Sequence, residues 1–389
     1  MSVRFLVPAC LLFLLACSSD SVPLPDPEPP APDFRLRLRW VPDDFGLDWS
    51  GARTGLAWTL SNLGAGLPAG SLDLSITALN ETDFELDLSL VGFSDEALDA
   101  LLILLEEFRA SEAYGAQGGI DLGRFVMLTL GSSWHYYAIT GAAPDIETYQ
   151  QEHPFETPLS FSVLESCISL GQRGVAFNPA QTIDEIVFIC REGEGNLLDG
   201  SFVADDYEVI DVMANGQTRY ALYDLGGNLK PAGDASRTDA GKPAKCMWCH
   251  ETVLQPAFCA RTSAPNSLTP EQFNEVVLAQ TTLMNVYRQE LEDEIDFEDS
   301  NAHTQGELIY VHFMEPSLAR IAREWKLTEE EALGRLDGLE THTNGEYPEF
   351  GGGLYHRAEV DQRTPYGVIQ VPDSAREPSF YEPKIIWVE

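Results

Sequence analysis

The feature that most constrains the fold of this chain is a change of hydrophobic period across a loop at residues 226–245. Before the loop, apolar and polar residues alternate in several short segments, as they do in half-buried strands. Beyond it, apolar residues recur at helical spacing behind helix-start signals. The loop itself is rich in Gly, Pro, Asp and Lys, which is typical of a surface segment. The sequence therefore predicts an α+β fold, with a mostly-β or α+β domain at 34–240 and a mainly α-helical domain at 241–389.

Strands are predicted before the loop at residues 34–40, 72–78, 84–91, 125–130, 134–140, 161–167, 185–190, 207–213 and 219–224. The last two segments flank Asn215-Gly216, a pair that tolerates the positive φ angles of a type I′ hairpin turn. One helix interrupts the strand pattern. Ser94 is its predicted N-cap, and the leucines that follow keep helical spacing as far as Phe108.

Helices are predicted beyond the loop at residues 270–294, 306–325 and 328–339. The first begins at Thr269-Pro270, an N-cap followed by a proline at the first helical position. The third begins at Thr328, which has Glu331 three residues later in a capping-box pattern. Residues 345–389 are rich in Gly, Pro and aromatic residues, and we expect them to wrap the helical domain as an irregular tail.

The N-terminus has the pattern of a secretory signal. A single arginine precedes an apolar run from Phe5 to Ala16 that is too short to span a bilayer, which needs roughly 20 residues. Leu14-Leu15-Ala16-Cys17 resembles the lipobox of bacterial lipoproteins. The resemblance implies that residues 1–16 are a cleaved signal peptide and that Cys17 carries a diacylglyceryl thioether.

A proline-rich tether follows at residues 17–33, where six prolines and no aromatic residue exclude a strand or a core. Ser18, directly after the lipidated cysteine, favours outer-membrane sorting in lipoprotein families. We therefore expect a chain anchored by acyl chains on Cys17 in the bacterial cell envelope, at the outer membrane and facing the periplasm or the surface.

The charge of the chain limits its partners. It has 62 acidic residues against 24 Lys plus Arg, a formal net charge of -38. Nucleic acid and anionic lipid surfaces are therefore excluded as partners by repulsion. Two interpretations of the acidic charge stay open: a solvated surface, or a docking face for a basic redox partner protein.

The motif that carries chemistry is Cys246-Met247-Trp248-Cys249-His250. Two thiols three residues apart add across the two vinyl groups of one porphyrin, and the adjacent histidine then reaches the iron. By this motif and the predicted helices, residues 241–389 resemble a monohaem cytochrome c. The resemblance implies one covalent haem c on Cys246 and Cys249, with His250 as proximal iron ligand. It does not extend to residues 34–240.

Other uses of these cysteines stay open. Cys246, Cys249 and Cys259 with His250 have the donor types of a zinc site, and a redox-active dithiol or a plain disulfide also satisfies the spacing. Cys167 and Cys190 are expected to form a disulfide, because exported thiols are usually paired.

The sixth iron ligand separates an electron carrier from an enzyme, because a closed site transfers electrons whereas an open site can bind substrate. Met314 is the first candidate for this ligand, since Pro316 restricts the backbone nearby. The other candidates are Met284, His303, His312, His342 and His356, and an open site is the remaining alternative.

Electron transfer in the cell envelope is the leading function. The alternatives are a haem enzyme with an open iron site, and a haem-free surface lipoprotein with a structural zinc or disulfide. His303, Glu307 and His312 lack a recognised metal-binding spacing and are interpreted as a solvated helix face. His135, in an aromatic run, is interpreted as a packed residue.

Overall fold

The strands form a five-stranded, a four-stranded and a two-stranded sheet in the computed structural model, which describes residues 31–42, 48–153, 155, 158–164, 171–236, 241–257, 264–299 and 301–383. The strands are β1 Arg35–Arg39, β2 Ile76–Ala78, β3 Asp83–Asp87, β4 Ile120–Asp121, β5 Leu159–Val163, β6 Gln172–Phe177, β7 Phe188–Glu194, β8 Val203–Val212, β9 Thr218–Asp224, β10 His342–Thr343 and β11 Gly352–Leu354.

Within the described residues, helices occur both before and after the predicted loop in the sequence. They are α1 Trp49–Asn62, α2 Ser71–Ser75, α3 Asp95–Ala110, α4 Glu112–Gln117, α5 Leu122–Thr129, α6 Ser133–Thr140, α7 Ile146–Glu152, α8 Pro243–His250, α9 Pro270–Glu290, α10 Ala302–Met314, α11 Leu318–Trp325, α12 Glu329–Arg335 and α13 Arg357–Asp361. The predicted α+β class is confirmed.

The five-stranded sheet is an antiparallel meander, because β5 to β9 lie in the sheet in the order in which they follow each other along the chain. The predicted hairpin between β8 and β9 is confirmed, but its turn type differs. The amide of Gly216 donates to the carbonyl oxygen of Met213 at 2.9 Å, and of the Asn215-Gly216 pair Gly216 alone has a positive φ, of 81°. A three-residue connection with glycine at its end replaces the type I′ turn.

Several segments predicted as strands are helical. Residues 125–130 and 134–140 lie in α5 and α6, and the segment 72–78 is divided between α2 and β2. Every residue of α5 is buried, so its apolar run has no polar face from which a period could be recognised. The capping residues mark both helices more clearly: Asp121 accepts from the amide of Gly123, and Ser132 accepts from the amide of His135.

The predicted helix starts at Ser94, Thr269 and Thr328 are confirmed, each by a side-chain oxygen that accepts a hydrogen bond from the backbone three residues later. The predicted helix 306–325 is two helices, α10 and α11. The helix breaks at Pro316 because proline disfavours a helical conformation in the residue before it. Ser317 then caps the new helix.

The two sides of the predicted domain boundary share one hydrophobic core. Residues from Phe34 onward form one unit, and the largest buried cluster draws on residues between Leu36 and Ala375. The helices α1 and α10 pack at close range: a Cβ added to Gly55 would lie 2.6 Å from the backbone of Gln305. The domain boundary at 240/241 stays a prediction from the sequence. In the structure, the residues before and after it pack against each other.

A cluster of arginines joins the last part of the chain to the first. The guanidinium groups of Arg124, Arg320 and Arg357 lie 5.0, 5.6 and 3.9 Å from the centre of the Phe313 ring. Their carboxylate partners are Asp361, Asp121 and Glu324. Because all of these side chains are nearly buried, the ion pairs fix how the C-terminal segments pack on the N-terminal ones.

Candidate functional site

The residues of the Cys-x-x-Cys-His motif lie on the short helix α8. Pro243 occupies its first turn, and Cys246, Cys249 and His250 have the i, i+3, i+4 spacing that places side chains on one helix face. Met247 is buried in the main core. The helix therefore presents both thiols and the imidazole together.

That face lines a cavity of about 690 Å³ between α8, α9 and one face of the five-stranded sheet. This volume lies within the roughly 300–1,000 Å³ typical of cofactor and ligand sites. The residues that line it are Phe161, Val163, Arg173, Val175, Phe188, Cys190, Glu208, Val209, Ile210, Tyr220, Ala221, Leu222, Lys245, Cys246, Trp248, Cys249, His250, Leu254, Gln255, Pro256, Ala257, Phe273 and Val277. Most of the lining is apolar, as a porphyrin requires.

A single row of residues across the sheet forms the wall opposite α8. Strand register pairs Phe161 with Val175, Val175 with Cys190, Cys190 with Glu208, and Glu208 with Leu222. Directly paired residues point to the same face of an antiparallel sheet. All five residues line the cavity, so the strands of the N-terminal part supply half of the candidate site.

The imidazole of His250 is held by a backbone hydrogen bond. Its Nδ1 lies 3.1 Å from the carbonyl oxygen of Val253, and a carbonyl can only accept, so Nδ1 carries the proton. Burial lowers the pKa of His250, which keeps the ring neutral. A neutral ring with a protonated Nδ1 leaves Nε2 as the nitrogen that can bind a metal.

The backbone after His250 is strained and clamped. Glu251 and Thr252 have φ angles of 46° and 71°, a left-handed conformation that costs energy for a β-branched residue such as threonine. The guanidinium of buried Arg288 donates to the carbonyl oxygens of Thr252 and Gly216, at 2.7 Å each. This arginine therefore links the turn after His250 to the end of the β8–β9 hairpin.

The chain's irregular tail holds the other end of α8. The amide of Lys242 donates to the carbonyl oxygen of Arg376 at 2.9 Å, and its ammonium group donates to Glu382 at 2.6 Å. The Arg376 guanidinium lies 4.7 Å from the centre of the Trp248 ring. The predicted tail thus wraps α8 directly.

The thiols of the cavity are protonated at neutral pH. Burial raises the pKa of Cys246 and of Cys249, and it raises that of Cys190 to about 12. A redox-active dithiol requires the opposite shift, because the thiolate is the nucleophile. The electrostatics of α8 therefore do not match the dithiol alternative.

A polar cluster interrupts the apolar wall. Arg173 donates to Glu208 at 3.0 Å and to Glu192 at 3.1 Å, and Arg173 and Glu208 both line the cavity. Burial raises the pKa of Glu208, although Arg173 opposes this shift. None of these three residues was predicted from the sequence to belong to the site. The available signal in the sequence was that these charged residues lie in strands that otherwise alternate apolar and polar residues.

The structure does not bring the candidate sixth ligands to this cavity within the ranges it describes. Met314 ends α10 and does not line the cavity. Buried Met284 does not line it either, although it packs in the cluster of phenylalanines that forms part of the cavity wall. His303 lies 3.3 Å from Glu251, in a second cavity. The rings of His342 and His356 stack on each other at 4.0 Å, and that of His312 lies 4.2 Å from Phe350.

The two discounted clusters have structural roles. Glu307 is paired with Arg376 at 2.5 Å, and Glu307 and His312 are both nearly buried, so the interpretation of this cluster as a solvated helix face is wrong. His135 is buried in α6, and burial lowers its pKa to about 4, so this histidine is neutral and packed.

Some predicted site residues lie outside the described ranges. These are Cys17 with its signal peptide, Cys167 and Cys259, so the disulfide of Cys167 with Cys190 and a zinc site that includes Cys259 stay predictions. Among the residues that are described, no group of three or more His, Cys, Asp or Glu is placed to hold a metal ion. Cys190, the described half of the predicted disulfide, lines the cavity.

In comparisons with known proteins, the chain matches no family model, no curated protein and no solved structure. No helix within the described ranges is long and apolar enough to cross a membrane.

We expect Met314→Ala to leave the visible absorption spectrum of protein co-expressed with haem-maturation machinery unchanged, because Met314 does not line the cavity at His250. The measurement is the spectrum of oxidised and reduced protein, including the weak sulfur-to-iron band at its red end. Met284→Ala is the matched variant at the other methionine. Loss of that band in Met314→Ala would restore Met314 as the sixth ligand.

Proposed function

We propose that this chain is a lipid-anchored c-type haem protein of the bacterial cell envelope, which binds one covalent haem and transfers electrons. One observation carries the proposal: both cysteines and the histidine of the Cys-x-x-Cys-His motif line the same largely apolar cavity, of about 690 Å³. An apolar cavity beside covalent attachment sites is what a haem protein needs, because burial tunes the reduction potential of the iron.

The residues present fit this group. Cys246 and Cys249 would hold the porphyrin through thioethers, and Nε2 of His250 would bind the iron. Haem supplies a reversible one-electron change at iron. The Nδ1 hydrogen bond of His250 to Val253 orients the imidazole, and Arg288 fixes the turn that follows.

The rest of the cavity supplies an apolar wall and charge. Phe161, Phe188 and Phe273 form an apolar wall, which lowers the local dielectric constant around any charge in the cavity. The cationic side chains among the described lining residues are Arg173, which is paired with Glu208 and Glu192, and Lys245, which is paired with Glu377.

A second candidate function is a haem enzyme with an open iron site. The observation that favours it is the described lining of the cavity, which contains His250 but no methionine and no further histidine. The spin state of the wild-type protein separates the two functions. A low-spin spectrum supports the electron carrier, and a high-spin spectrum that changes when a small ligand is added supports the enzyme.

We expect Cys17→Ala to release the protein from the membrane, because the proline-rich tether offers no apolar surface and the acyl chains are the proposed anchor. The measurement is fractionation of cells that express wild type or variant, followed by a high-salt wash of the membranes. Ser18→Ala is the control and should stay in the pellet. A Cys17→Ala protein that also stays there would contradict lipid anchoring.

A further inference from the structure

Three carboxylates lie side by side on the sheet wall of the cavity at His250. Strand register pairs Glu208 of β8 with Cys190 of β7 and with Leu222 of β9, and all three residues line the cavity. Glu192 and Asp206 form the neighbouring pair on the same face of the sheet. The apolar wall opposite α8 therefore ends in a patch of negative charge.

Two cations are shared among these three carboxylates. Arg173 donates to Oε2 of Glu208 at 3.0 Å and to Oε2 of Glu192 at 3.1 Å. The ammonium group of Lys230 donates to Asp206 at 2.7 Å. With all three acids ionised, this cluster of five side chains has one negative charge in excess. Because a buried charge without compensation is costly, one of the acids is under pressure to bind a proton.

Glu208 is the acid of the cluster that a proton can reach from the cavity. Its side chain is 16% exposed, against 2% for Glu192 and 8% for Asp206, and of these three acids it alone lines the cavity. Burial raises the pKa of Glu208, and the charges of Glu192 and Asp206 add to this shift, whereas Arg173 and Lys230 oppose it. Glu208 is therefore the acid of this wall that is placed to exchange a proton.

The charge of Glu208 acts on the proposed attachment site. Burial raises the pKa of the Cys246 thiol, and the negative charge of Glu208 raises it further. Coulomb coupling is mutual and is strong where the dielectric constant is low. A negative charge added inside the cavity would therefore raise the pKa of Glu208 in turn.

The other groups around Glu208 that carry charge or could titrate are Arg173, Cys190, Glu192, Asp206, Tyr220, Lys230, Lys245, Cys246, Cys249 and His250. Burial keeps Cys190 and Tyr220 protonated, because it raises the pKa of both groups, and it keeps the His250 ring neutral because it lowers that pKa. Thioether formation removes the thiols of Cys246 and Cys249 from the titration. Lys245 is paired with Glu377 at 2.6 Å.

We propose that Glu208 is a redox-linked proton acceptor, whose carboxylate takes up one proton from solvent when one electron enters the haem. The inference rests on the proposed haem function, whose redox partner supplies the electron. The carboxylate becomes a carboxylic acid, no other bond forms or breaks, and the net charge of the cavity stays constant. When the electron leaves, the proton returns to solvent. The chain would thus move one proton with each electron.

The coupling sets the direction of a pH dependence. Reduction adds one negative charge, so the pKa of Glu208 is higher in the reduced protein than in the oxidised protein. Between these two pKa values only the reduced protein binds the proton, so the reduction potential falls as the pH rises. A tenfold change in proton concentration corresponds to about 59 mV for a one-electron couple. The potential should therefore fall by up to about 59 mV per pH unit within this window.

The test is a spectroelectrochemical titration, between pH 5 and pH 9, of the full-length protein in detergent after co-expression with haem-maturation machinery. We expect the wild-type potential to fall with rising pH. In Glu208→Gln it should not change with pH, because an amide of the same shape takes up no proton. The matched control is Glu106→Gln, which removes a carboxylate from the exposed face of α3 and should keep the wild-type slope.

A second measurement identifies the group that binds the proton. The infrared difference spectrum of reduced minus oxidised wild type should gain the carbonyl band of a protonated carboxyl group, and Glu208→Gln should lack this band. The absence of the band in the wild type would overturn the proposal, whether or not the variant folds.

A wild-type potential that is independent of pH, or a slope that persists in Glu208→Gln, would also overturn it. Staining of a denaturing gel for covalent haem separates this failure from that of the proposed function. A protein that stains but has a constant potential contradicts the role of Glu208 alone, whereas a protein that does not stain contradicts both proposals.

Discussion

Replacing Cys246 and Cys249 together by alanine is expected to abolish covalent haem completely. The two thiols are the proposed attachment points and line the same cavity as His250, so no other link to the porphyrin remains in the double variant. The measurement is haem-dependent peroxidase staining of a denaturing gel, after co-expression with haem-maturation machinery. His250→Ala should keep the stain, because the thioethers survive, but its absorption spectrum should change.

The structure offers a matched control for this experiment. Cys190 lines the same cavity from strand β7 but is outside the motif, so Cys190→Ala should stain like the wild type. A double variant that still stains would remove the haem proposal. So would a colourless wild type that carries one zinc per chain, which would favour the zinc alternative.

Sequence reasoning succeeded where the signal is local. Ser94, Thr269 and Thr328 were recognised as helix caps because a capping side chain and its amide lie three residues apart. The spacing within Cys246–His250 is equally local, but no helix was predicted at these residues, and it is α8 that places both thiols and the imidazole on one face.

It failed where burial removes the period. The segments at α5 and α6 are buried on nearly every side because they lie inside the core, and a buried helix then cannot be told from a buried strand. The error at helix α10 has a different cause. Its predicted extension to residue 325 ignored the helix break at Pro316.

The wall of the candidate site was out of reach for a different reason. Phe161, Arg173 and Glu208 meet the motif through strand pairing and through packing of the sheet on α8, and neither is encoded in spacing along the chain. Met314 was chosen because Pro316 restricts the backbone nearby, a local feature that does not place its side chain in the cavity of His250. Contacts between distant segments decide the composition of the site.

The largest expected loss of stability follows from Glu324→Ala. Oε2 of Glu324 accepts from Arg320 at 2.8 Å and from Arg357 at 2.9 Å, and Oε1 accepts from Arg357 at 3.0 Å. All three side chains are nearly buried. Removing the carboxylate leaves two buried guanidinium groups with one partner fewer each, and breaking such a cluster typically costs about 3–5 kcal/mol. Glu106→Ala, on an exposed helix face, should change the free energy of unfolding by less than about 0.5 kcal/mol.

The same carboxylate should give the wild type a pH dependence that the variant lacks. Burial alone would raise the pKa of Glu324, but Arg357 and Arg320 outweigh it and hold the pKa well below its usual range. A pKa that is lower in the folded state stabilises the fold above the unfolded pKa, about 4.3, and this stabilisation is lost as the pH falls. Urea unfolding at pH 7 and at pH 3.5 should therefore show a difference between wild type and Glu324→Ala that shrinks at the lower pH. An equal difference at both values would mean that the ionised carboxylate does not stabilise the cluster, and that Glu324 acts through packing alone.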